Sequence, residues 1–213
     1  MKGGRKGKLI VVSAPSGAGK TTLCSSLSQT EENVVYATSY TTRRPRSGEV
    51  DGKDYFFISE EAFQSMIREN EFAEWARVHD HFYGTHEGFV RRRMEEGKDV
   101  LLDVDVQGAK QLKKKFSPPE GVFVFVLPPS MDVLISRLNK RRSDSPDEIR
   151  RRLKVAREEI RNHDDYEYLI INDKIGPAVE DLKAIIFSER KRKTVKDSKW
   201  IHRQFLDESE KIN

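Results

Sequence analysis

The chain has 213 residues, enough for one well-buried core but short for two independent domains of ordinary size. With 36% hydrophobic residues, 35% charged residues, a net charge of +4 and Cys24 as the only cysteine, the composition argues against general disorder and excludes a disulfide framework. No apolar run approaches transmembrane length, so we expect a soluble cytoplasmic protein without a membrane partner.

The first predicted strand, residues 9 to 12, leads directly into a glycine-rich segment typical of a phosphate-binding loop, or P-loop. Glycines let the main chain wrap around an anion, and Lys20 reaches the outer phosphates of a nucleotide. Thr21 is placed to ligate Mg²⁺, whereas Ala14 replaces the first glycine of the strict pattern. The alternative, an ordinary flexible turn, does not explain the strand, the glycines, the Lys-Thr pair and the helix together. The predicted ligands of a nucleoside triphosphate are Ala14, Pro15, Ser16, Gly17, Ala18, Gly19, Lys20, Thr21 and Thr22.

Four further aliphatic or β-branched runs alternate with longer helical patterns. They lie at residues 34 to 37, 100 to 104, 122 to 127 and 168 to 171. Continuous apolar runs of this length are typical of parallel strands buried on both faces, with helices crossing over between them. The sequence therefore predicts an α/β fold with a mainly parallel central sheet.

Residues 39 to 89 interrupt this alternation. Asp51-Gly52 is the two-residue turn signal of a β-hairpin, and a helical stretch from Glu60 to Asn70 precedes a strand-like segment at residues 72 to 78. We therefore predict a small inserted mixed sheet.

Within this insert, Arg43 and Arg46 lie on either side of Pro45. Two guanidinium groups on a proline-stiffened loop suit a dianionic phosphate, because each group makes two parallel charge-assisted hydrogen bonds. Taken alone, the motif favours a solvated basic loop over a phosphate site.

Asp103 and Asp105 stand two residues apart at the end of the strand predicted at residues 100 to 104. Carboxylates in a buried strand are costly unless they meet cations or hydrogen-bond donors. On an extended strand the two side chains would face the same side. This pair is therefore a candidate for cation or ligand binding.

A second insert, from residue 132 to 164, holds most of the excess positive charge: residues 137 to 161 contain ten Arg or Lys against five Asp or Glu. Ser145, Pro146 and Glu148 form an N-cap, a proline at the first helical position and a capping glutamate. The predicted helix buries one apolar stripe, formed by Ile149, Leu153, Ala156 and Ile160. A last amphipathic helix is predicted to open at Pro177, and residues 191 to 213 form a charged tail without an apolar period.

The sequence resembles the guanylate kinase family from about residue 8 to residue 190. The motifs that carry the resemblance, in the family's order, are SAPSGAGKTTL, TTRRPRSGEVDGKDYFF, NEFAEWARVHDHFYGT, LLDVDVQGAKQ and YLIIND. The resemblance implies a single three-layer P-loop NTPase domain. It divides the chain into a core (1–38, 90–131 and 165–213), a GMP-binding insert (39–89) and a helical lid (132–164).

The resemblance also implies transfer of a phosphoryl group from Mg-ATP to GMP and assigns residues to the GMP site. A carboxylate such as Glu74 accepts both N1–H and the 2-amino group of guanine, while a hydroxyl of Ser39 or Thr85 donates to O6. Adenine has an acceptor at N1 and a donor at C6, so AMP would leave buried polar groups unpaired. The implied GMP-binding residues are Ser39, Arg43, Arg46, Glu49, Tyr55, Glu74, Tyr83, Thr85 and Asp105.

By the same resemblance, Arg137, Arg141 and Arg152 are lid arginines that close over ATP, with Arg137 and Arg141 contacting it. The implied metal ligands are Thr21 and Asp103, which hold Mg²⁺ directly or through water. Arg142-Ser143 stands where the family usually has glycine after the second lid arginine, which makes this turn more cationic. The implied catalytic set is Lys20, Arg43, Arg137, Arg141 and Arg152.

Three other functions compete with this interpretation. Another nucleoside monophosphate kinase would share the P-loop, but Ser39, Glu74 and Thr85 favour guanine. A catalytically inactive guanylate-kinase-like scaffold that binds peptides would be expected to lack P-loop residues, which are intact here. A specific nucleic-acid partner is not expected, because the basic segment lacks interleaved aromatic residues for base stacking.

Overall fold

Strands and helices alternate along most of the chain, as the sequence pattern predicts. The structure is a computed structural model that describes residues 5–78, 80–139, 146–192 and 195–206. The strands are β1 (Leu9–Ser13), β2 (Val34–Tyr36), β3 (Tyr40–Thr41), β4 (Phe56–Phe57), β5 (Phe72–Val78), β6 (His81–His86), β7 (Asp99–Asp103), β8 (Gly121–Leu127) and β9 (Tyr168–Ile171). The α-helices are α1 (Lys20–Thr30), α2 (Glu60–Arg68), α3 (Glu87–Glu95), α4 (Val106–Lys115), α5 (Met131–Asn139), α6 (Pro146–Ile160), α7 (Ile175–Lys191) and α8 (Val195–Ile201).

Five strands form a parallel sheet in the order β2-β7-β1-β8-β9. The central strand β1 is buried on both faces, because Ile10 and Val12 pack into one hydrophobic cluster and Leu9 and Val11 into another. Helices cover both clusters. The predicted strands and the three-layer α/β architecture are confirmed, and the carboxyl ends of β1 and β7 meet at one edge of the sheet.

The insert forms a second sheet in the order β4-β3-β6-β5, in which β3 runs parallel to β4 and antiparallel to β6. Its own core consists of Phe63 from α2, Phe72 and Phe82, whose rings stack at centroid distances of 4.4 and 5.4 Å from Phe63. The predicted small mixed sheet is therefore present. Its aromatic core holds β5 and β6, which carry the predicted guanine ligands Glu74 and Thr85.

The hairpin predicted at Asp51-Gly52 is wrong. The strands on either side, β3 and β4, are parallel, and parallel strands need a crossover rather than a two-residue turn. Gly52 does adopt a left-handed conformation (φ 75°), but its N–H donates to the carbonyl of Tyr55 within a local turn. The Asp51 carboxylate accepts the N–H of Phe57 over 2.8 Å and so fixes this loop to β4.

Helix α6 begins at Pro146, the predicted first helical position, although its predicted cap Ser145 lies outside the described residues. Ala156 and the half-buried Leu153 pack against Leu134 and Leu138 of α5, which confirms this part of the predicted apolar stripe. Its other two members, Ile149 and Ile160, are half-buried. Helix α7 begins at Ile175, two residues before the predicted start at Pro177.

Part of the tail is helical. It contains α8 followed by a π-helix, His202–Leu206. Among the helices that the structure describes, none is long and apolar enough to cross a membrane.

Candidate active site

The P-loop joins β1 to α1 and depends on two glycines with left-handed conformations. Gly17 has φ 93° and Gly19 has φ 89°, a region that residues with side chains rarely adopt. A side chain at either position would also crowd its neighbours. A Cβ on Gly17 would lie 3.0 Å from Leu138 Cδ2, and one on Gly19 would lie 2.5 Å from Asn172 Nδ2. The buried Asn172 carboxamide donates to the Ala18 carbonyl over 2.7 Å and so fixes the loop from the side of β9.

Lys20 and Thr21 occupy the first turn of α1 and point toward the end of β7. The Lys20 ammonium donates to the Val104 carbonyl over 2.8 Å, and the Thr21 hydroxyl donates to Asp103 Oδ2 over 2.7 Å. The predicted phosphate lysine and the predicted metal pair are therefore brought together at one sheet edge. A hydroxyl and a carboxylate are the oxygen ligands that Mg²⁺ prefers, so this pair fits the ion. Across the described residues no third acidic or histidine side chain joins a metal-binding cluster, so phosphate and water would have to complete a Mg²⁺ shell.

Asp105 does not lie on the strand with Asp103, as the sequence spacing predicted. Strand β7 ends at Asp103, and Asp105 is the N-cap of α4, where its Oδ1 accepts the N–H of Gly108 over 2.8 Å. The cap satisfies one of the free N–H groups at the start of the helix, which explains why the chain turns at this point. Gly108 in turn lies against Glu74 of the insert, and the charge of Asp105 helps to raise the pKa of Glu74.

Two acidic or phenolic groups near the P-loop were not predicted. Glu159 of α6 accepts the N–H of Ser16 over 3.3 Å, and burial raises the pKa of its carboxyl against the opposing effect of Lys20. Burial and the nearby Asp103 carboxylate raise the pKa of the Tyr36 hydroxyl at the end of β2. The sequence did offer a signal for Tyr36: it carries a hydroxyl near the carboxyl end of a predicted core strand, where ligands of α/β proteins bind. No local pattern marks Glu159, because 143 residues separate it from Ser16.

The predicted phosphate-binding arm is preorganised around Glu49. Its carboxylate accepts hydrogen bonds from both terminal nitrogens of Arg43 at 2.8 and 2.9 Å and from the N–H of Arg46 at 2.7 Å. These bonds lower the pKa of Glu49 to about 2 and raise the pKa of Arg43. The Arg43 guanidinium also lies 5.3 Å from the Tyr55 ring centroid and 5.7 Å from that of Phe57. Glu49 thus orients the predicted phosphate ligand Arg43.

The predicted aromatic ligands Tyr55 and Tyr83 lie side by side. Their ring centroids are 5.9 Å apart in an edge-to-face arrangement, the geometry that aromatic pairs favour. Tyr83 also acts on the Arg43 guanidinium and helps to raise its pKa. The structure therefore groups Arg43, Glu49, Tyr55 and Tyr83 at one place on the insert, with Arg46 on the same loop.

The predicted guanine pocket contains a buried carboxylate. Glu74 on β5 is 5% exposed, and its Oε1 accepts the hydroxyl of Thr85 on β6 over 2.7 Å. Ser39 Oγ lies 3.4 Å from Thr85 Oγ1, so the three predicted polar side chains form a chain of contacts. Burial, with a smaller effect of Asp105, raises the pKa of Glu74 to about 7 despite the Thr85 hydrogen bond and the charge of Lys20. Such a buried acceptor is suited to a ligand that brings its own donors.

The lid arginines differ in their surroundings. Arg137 on α5 donates to the main-chain carbonyls of Asn172 and Asp173 at 2.9 and 3.1 Å, which holds it beside the P-loop. Arg152 on α6 lies 3.7 Å from Glu148, one helical turn earlier. Arg141, like the Arg142-Ser143 turn, lies outside the described residues.

Comparison with known proteins agrees with this geometry. The family model for guanylate kinase matches residues 6–189. The guanylate kinase of Caldanaerobacter subterraneus subsp. tengcongensis is 52% identical over 188 residues, which cover 88% of this chain and 90% of that protein. The guanylate kinase of Geobacter metallireducens is 50% identical, covering 88% and 92%.

A solved structure adds evidence for the fold. The crystal structure of guanylate kinase from Anaplasma phagocytophilum superposes with a TM-score of 0.78 at 29% identity and covers 95% of this chain and 97% of that one. The similarity in sequence and in fold thus extends over most of the chain. The chain belongs to the guanylate kinase family.

Proposed function

We propose that this enzyme transfers the γ-phosphoryl group of Mg-ATP to GMP, giving ADP and GDP, with the P-loop end of the cleft holding ATP and the insert holding GMP. The observation that carries the proposal is the junction at residues 103–105. Asp103 contacts the P-loop through Thr21, whereas Asp105, two residues later, caps α4 at Gly108, which lies against Glu74 of the insert. One short segment therefore joins the predicted triphosphate site to the predicted base site.

At the ATP end, the N–H groups that follow β1 and the start of α1 supply donors for the β- and γ-phosphates, and Lys20 supplies positive charge. When bound, Mg²⁺ would neutralise charge that develops on the phosphoryl oxygens, and Thr21 and Asp103 are the side chains that would hold it. The Lys20 ammonium donates to the Val104 carbonyl, a hydrogen bond that it would exchange for one to a phosphate oxygen.

At the GMP end, Arg43 and Arg46 would bind the dianionic phosphate with Tyr55 and Tyr83 beside them. Glu49 keeps the Arg43 guanidinium in one orientation before the substrate arrives. Such preorganisation lowers the entropy lost on binding. The prediction of Glu49 as a GMP ligand is therefore extended by a role in orienting Arg43.

Base selection would rest on Glu74, Thr85 and Ser39, with Asp105 nearby. The Glu74 carboxylate accepts two adjacent donors of guanine, which adenine lacks. Because Glu74 is buried, a base that cannot donate leaves its charge unpaired, a mismatch that strongly disfavours AMP.

The reaction needs little acid–base chemistry, because the attacking GMP phosphate oxygen is already ionised near neutral pH. The enzyme instead brings two polyanions together and stabilises the charge on the transferring phosphoryl group. The side chains proposed to stabilise this charge are Lys20, Arg43, Arg137, Arg141 and Arg152. Closure of the lid (132–164) and of the insert (39–89) onto the core (1–38, 90–131 and 165–213) would exclude water, which would otherwise hydrolyse ATP.

No observation favours a catalytically inactive scaffold, since Lys20, Thr21 and Asp103 keep the contacts that the chemistry needs. We place the enzyme in the cytoplasm, with ATP and GMP as its partners and no specific nucleic acid or membrane.

The test is ADP release in the presence of Mg-ATP and, in turn, GMP, AMP, CMP or UMP. GMP alone should support turnover, and Lys20→Ala should lower kcat by roughly 100-fold or more because charge stabilisation is lost in the transition state. Lys114→Ala, which changes an exposed lysine on α4, is the matched control and should behave as wild type. Turnover with AMP but not GMP, or none with any monophosphate, would contradict the proposal.

A further inference from the structure

One side chain of α4 completes the hydrogen bonding of a strand in the insert. The Gln111 carboxamide donates from Nε2 to the carbonyl of Trp75 over 2.7 Å, and its Oε1 accepts the N–H of Trp75 over 3.2 Å. Trp75 directly follows Glu74 on β5. Gln111 therefore holds the main chain beside the proposed guanine acceptor.

The hydrogen bonds between Gln111 and Trp75 lie on the outer edge of β5, where no further strand of the described chain is paired. In the order β4-β3-β6-β5, β5 lies at the edge of the small sheet, so its outer N–H and C=O groups have no neighbouring strand. A carboxamide carries one donor and one acceptor in the geometry of a peptide group. Gln111 thus forms the two bonds that a peptide of an adjacent strand would form.

The same face of α4 also shapes the position of the Glu74 side chain. Gly108 lies three residues before Gln111, a spacing that places both residues on one helix face. A Cβ on Gly108 would lie 2.8 Å from Glu74 Oε2. One helix face therefore contacts both the carboxylate of Glu74 and the main chain of the next residue.

Accurate placement matters for this carboxylate. Glu74 is 5% exposed, and only Thr85 is seen to donate a hydrogen bond to it in the part of the chain that the structure describes. Two parallel hydrogen bonds to guanine require that both carboxylate oxygens lie in the plane of the base, within about half an ångström. A shift of β5 at Trp75 would rotate the carboxylate out of that plane.

We infer that Gln111 is a positioning residue for guanine recognition, which acts by fixing the β5 main chain at Trp75 and thereby the direction of the Glu74 carboxylate. This role rests on the proposed function, because it requires Glu74 to accept hydrogen bonds from GMP. It deepens that function by assigning base specificity partly to a side chain of α4 that contacts the β5 main chain and not the base acceptor itself.

The experiment starts from Gln111→Met, which keeps the length of the side chain but removes both hydrogen bonds. The KM for GMP should rise about tenfold, the scale of one weakened charged hydrogen bond between Glu74 and the base, whereas kcat and the KM for ATP change less than about twofold. Lys115→Met is the matched control, since Lys115 on the same helix donates to the carbonyl of Phe72, the first residue of the same strand. It should leave the KM for GMP within about twofold of wild type.

A double-mutant cycle separates positioning from general support of the sheet. In a Glu74→Ala background, Gln111→Met should change the KM for GMP less than about twofold, because the group that it positions is gone. Thermal unfolding and calorimetric GMP affinity are measured on every variant. If Gln111→Met does not fold, Gln111→Asn, whose shorter amide cannot span both groups of Trp75, takes its place with the same expectation.

An unchanged KM for GMP in a folded variant, or an equal loss with and without Glu74, would overturn the role of Gln111. Failure of the wild-type enzyme to phosphorylate GMP is a separate result: it would overturn the proposed function itself.

Discussion

The Thr21 hydroxyl donates to the Asp103 carboxylate over 2.7 Å and thereby joins the P-loop to the end of β7. The two residues lie 82 positions apart in the chain. Their contact places a hydroxyl and a carboxylate, both suitable for Mg²⁺, directly beside the phosphate lysine.

This pair predicts a changed magnesium requirement. Asp103→Asn keeps the shape of the side chain but removes its charge, so the Mg²⁺ concentration for half-maximal activity should rise roughly 10- to 100-fold. The measurement is a Mg²⁺ titration of ADP release at saturating ATP and GMP. Asp164→Asn, which changes a carboxylate whose side chain is 89% exposed, is the control. An unaltered titration for Asp103→Asn would exclude Asp103 from metal binding.

The second prediction concerns pH. The pKa of Glu74 is raised to about 7, and GMP binds to the ionised form, so GMP affinity should increase about tenfold between pH 6 and pH 8 as the carboxylate ionises. Calorimetry of GMP binding across this range should show the rise in wild type, and Glu74→Gln should lose it while keeping any effect of the GMP phosphate. The same inflection in both proteins would refute the assignment.

Stability should depend on pH in the opposite direction. Between pH 4.5, the ordinary pKa of the side chain, and about 7, the folded protein holds more protons on Glu74 than the unfolded chain does. The free energy of unfolding contributed by this group should therefore fall as pH rises through that window. Denaturant unfolding of wild type and Glu74→Gln at pH 5 and 7.5 measures the difference.

Gly108→Ala should separate substrate binding from stability. A methyl group here would lie 2.8 Å from Glu74 Oε2 and displace the carboxylate, so the KM for GMP should rise several-fold, on the scale of one disturbed charged hydrogen bond. Alanine favours a helix over glycine by about 0.5–1 kcal/mol, so the melting temperature should fall little or even increase. The corresponding control is Gly176→Ala, since nothing lies within 4 Å of a Cβ at that position. A lower melting temperature with an unchanged KM would contradict the packing described here.

Glu159 predicts an effect on ATP. Its carboxylate accepts a hydrogen bond from the N–H of Ser16 in the P-loop and carries negative charge, as the phosphates do. Removing that charge in Glu159→Gln should tighten ATP binding several-fold, since like charges near a phosphate site oppose binding. Glu158→Gln is the control, because Glu158 is exposed and pairs with Arg161. Weaker ATP binding in Glu159→Gln would show instead that the carboxylate supports the loop.

Local sequence patterns were sufficient for much of the fold. The core strands, the P-loop and helix α6 follow from apolar periodicity, glycine spacing and capping residues, all of which act over a few neighbouring positions. The prediction of a hairpin at Asp51-Gly52 was wrong because the same dipeptide also suits a local turn within a crossover loop. Only the parallel pairing of β3 with β4 distinguishes the two cases.

The sequence did not predict those parts of the candidate site that depend on contacts between distant segments of the chain. The contact of Glu159 with Ser16 and that of Gln111 with Trp75 span 143 and 36 residues, and neither leaves a periodic signal. The assignment of Glu49 as a GMP ligand stays a prediction, and the structure adds that its carboxylate accepts two hydrogen bonds from Arg43. That contact depends on where the carboxylate points, which composition and spacing do not encode.

The selection of guanine by Glu74 is tested most directly by comparing kcat/KM for GMP and for AMP in wild type and Glu74→Ala. The wild-type ratio should be on the order of 10⁴ or more, because AMP leaves the buried carboxylate unpaired. In Glu74→Ala the ratio should fall roughly 100-fold through loss of GMP efficiency, since two charge-assisted hydrogen bonds disappear. A folded Glu74→Ala enzyme that still prefers GMP by the wild-type ratio would contradict the claim that this carboxylate selects guanine.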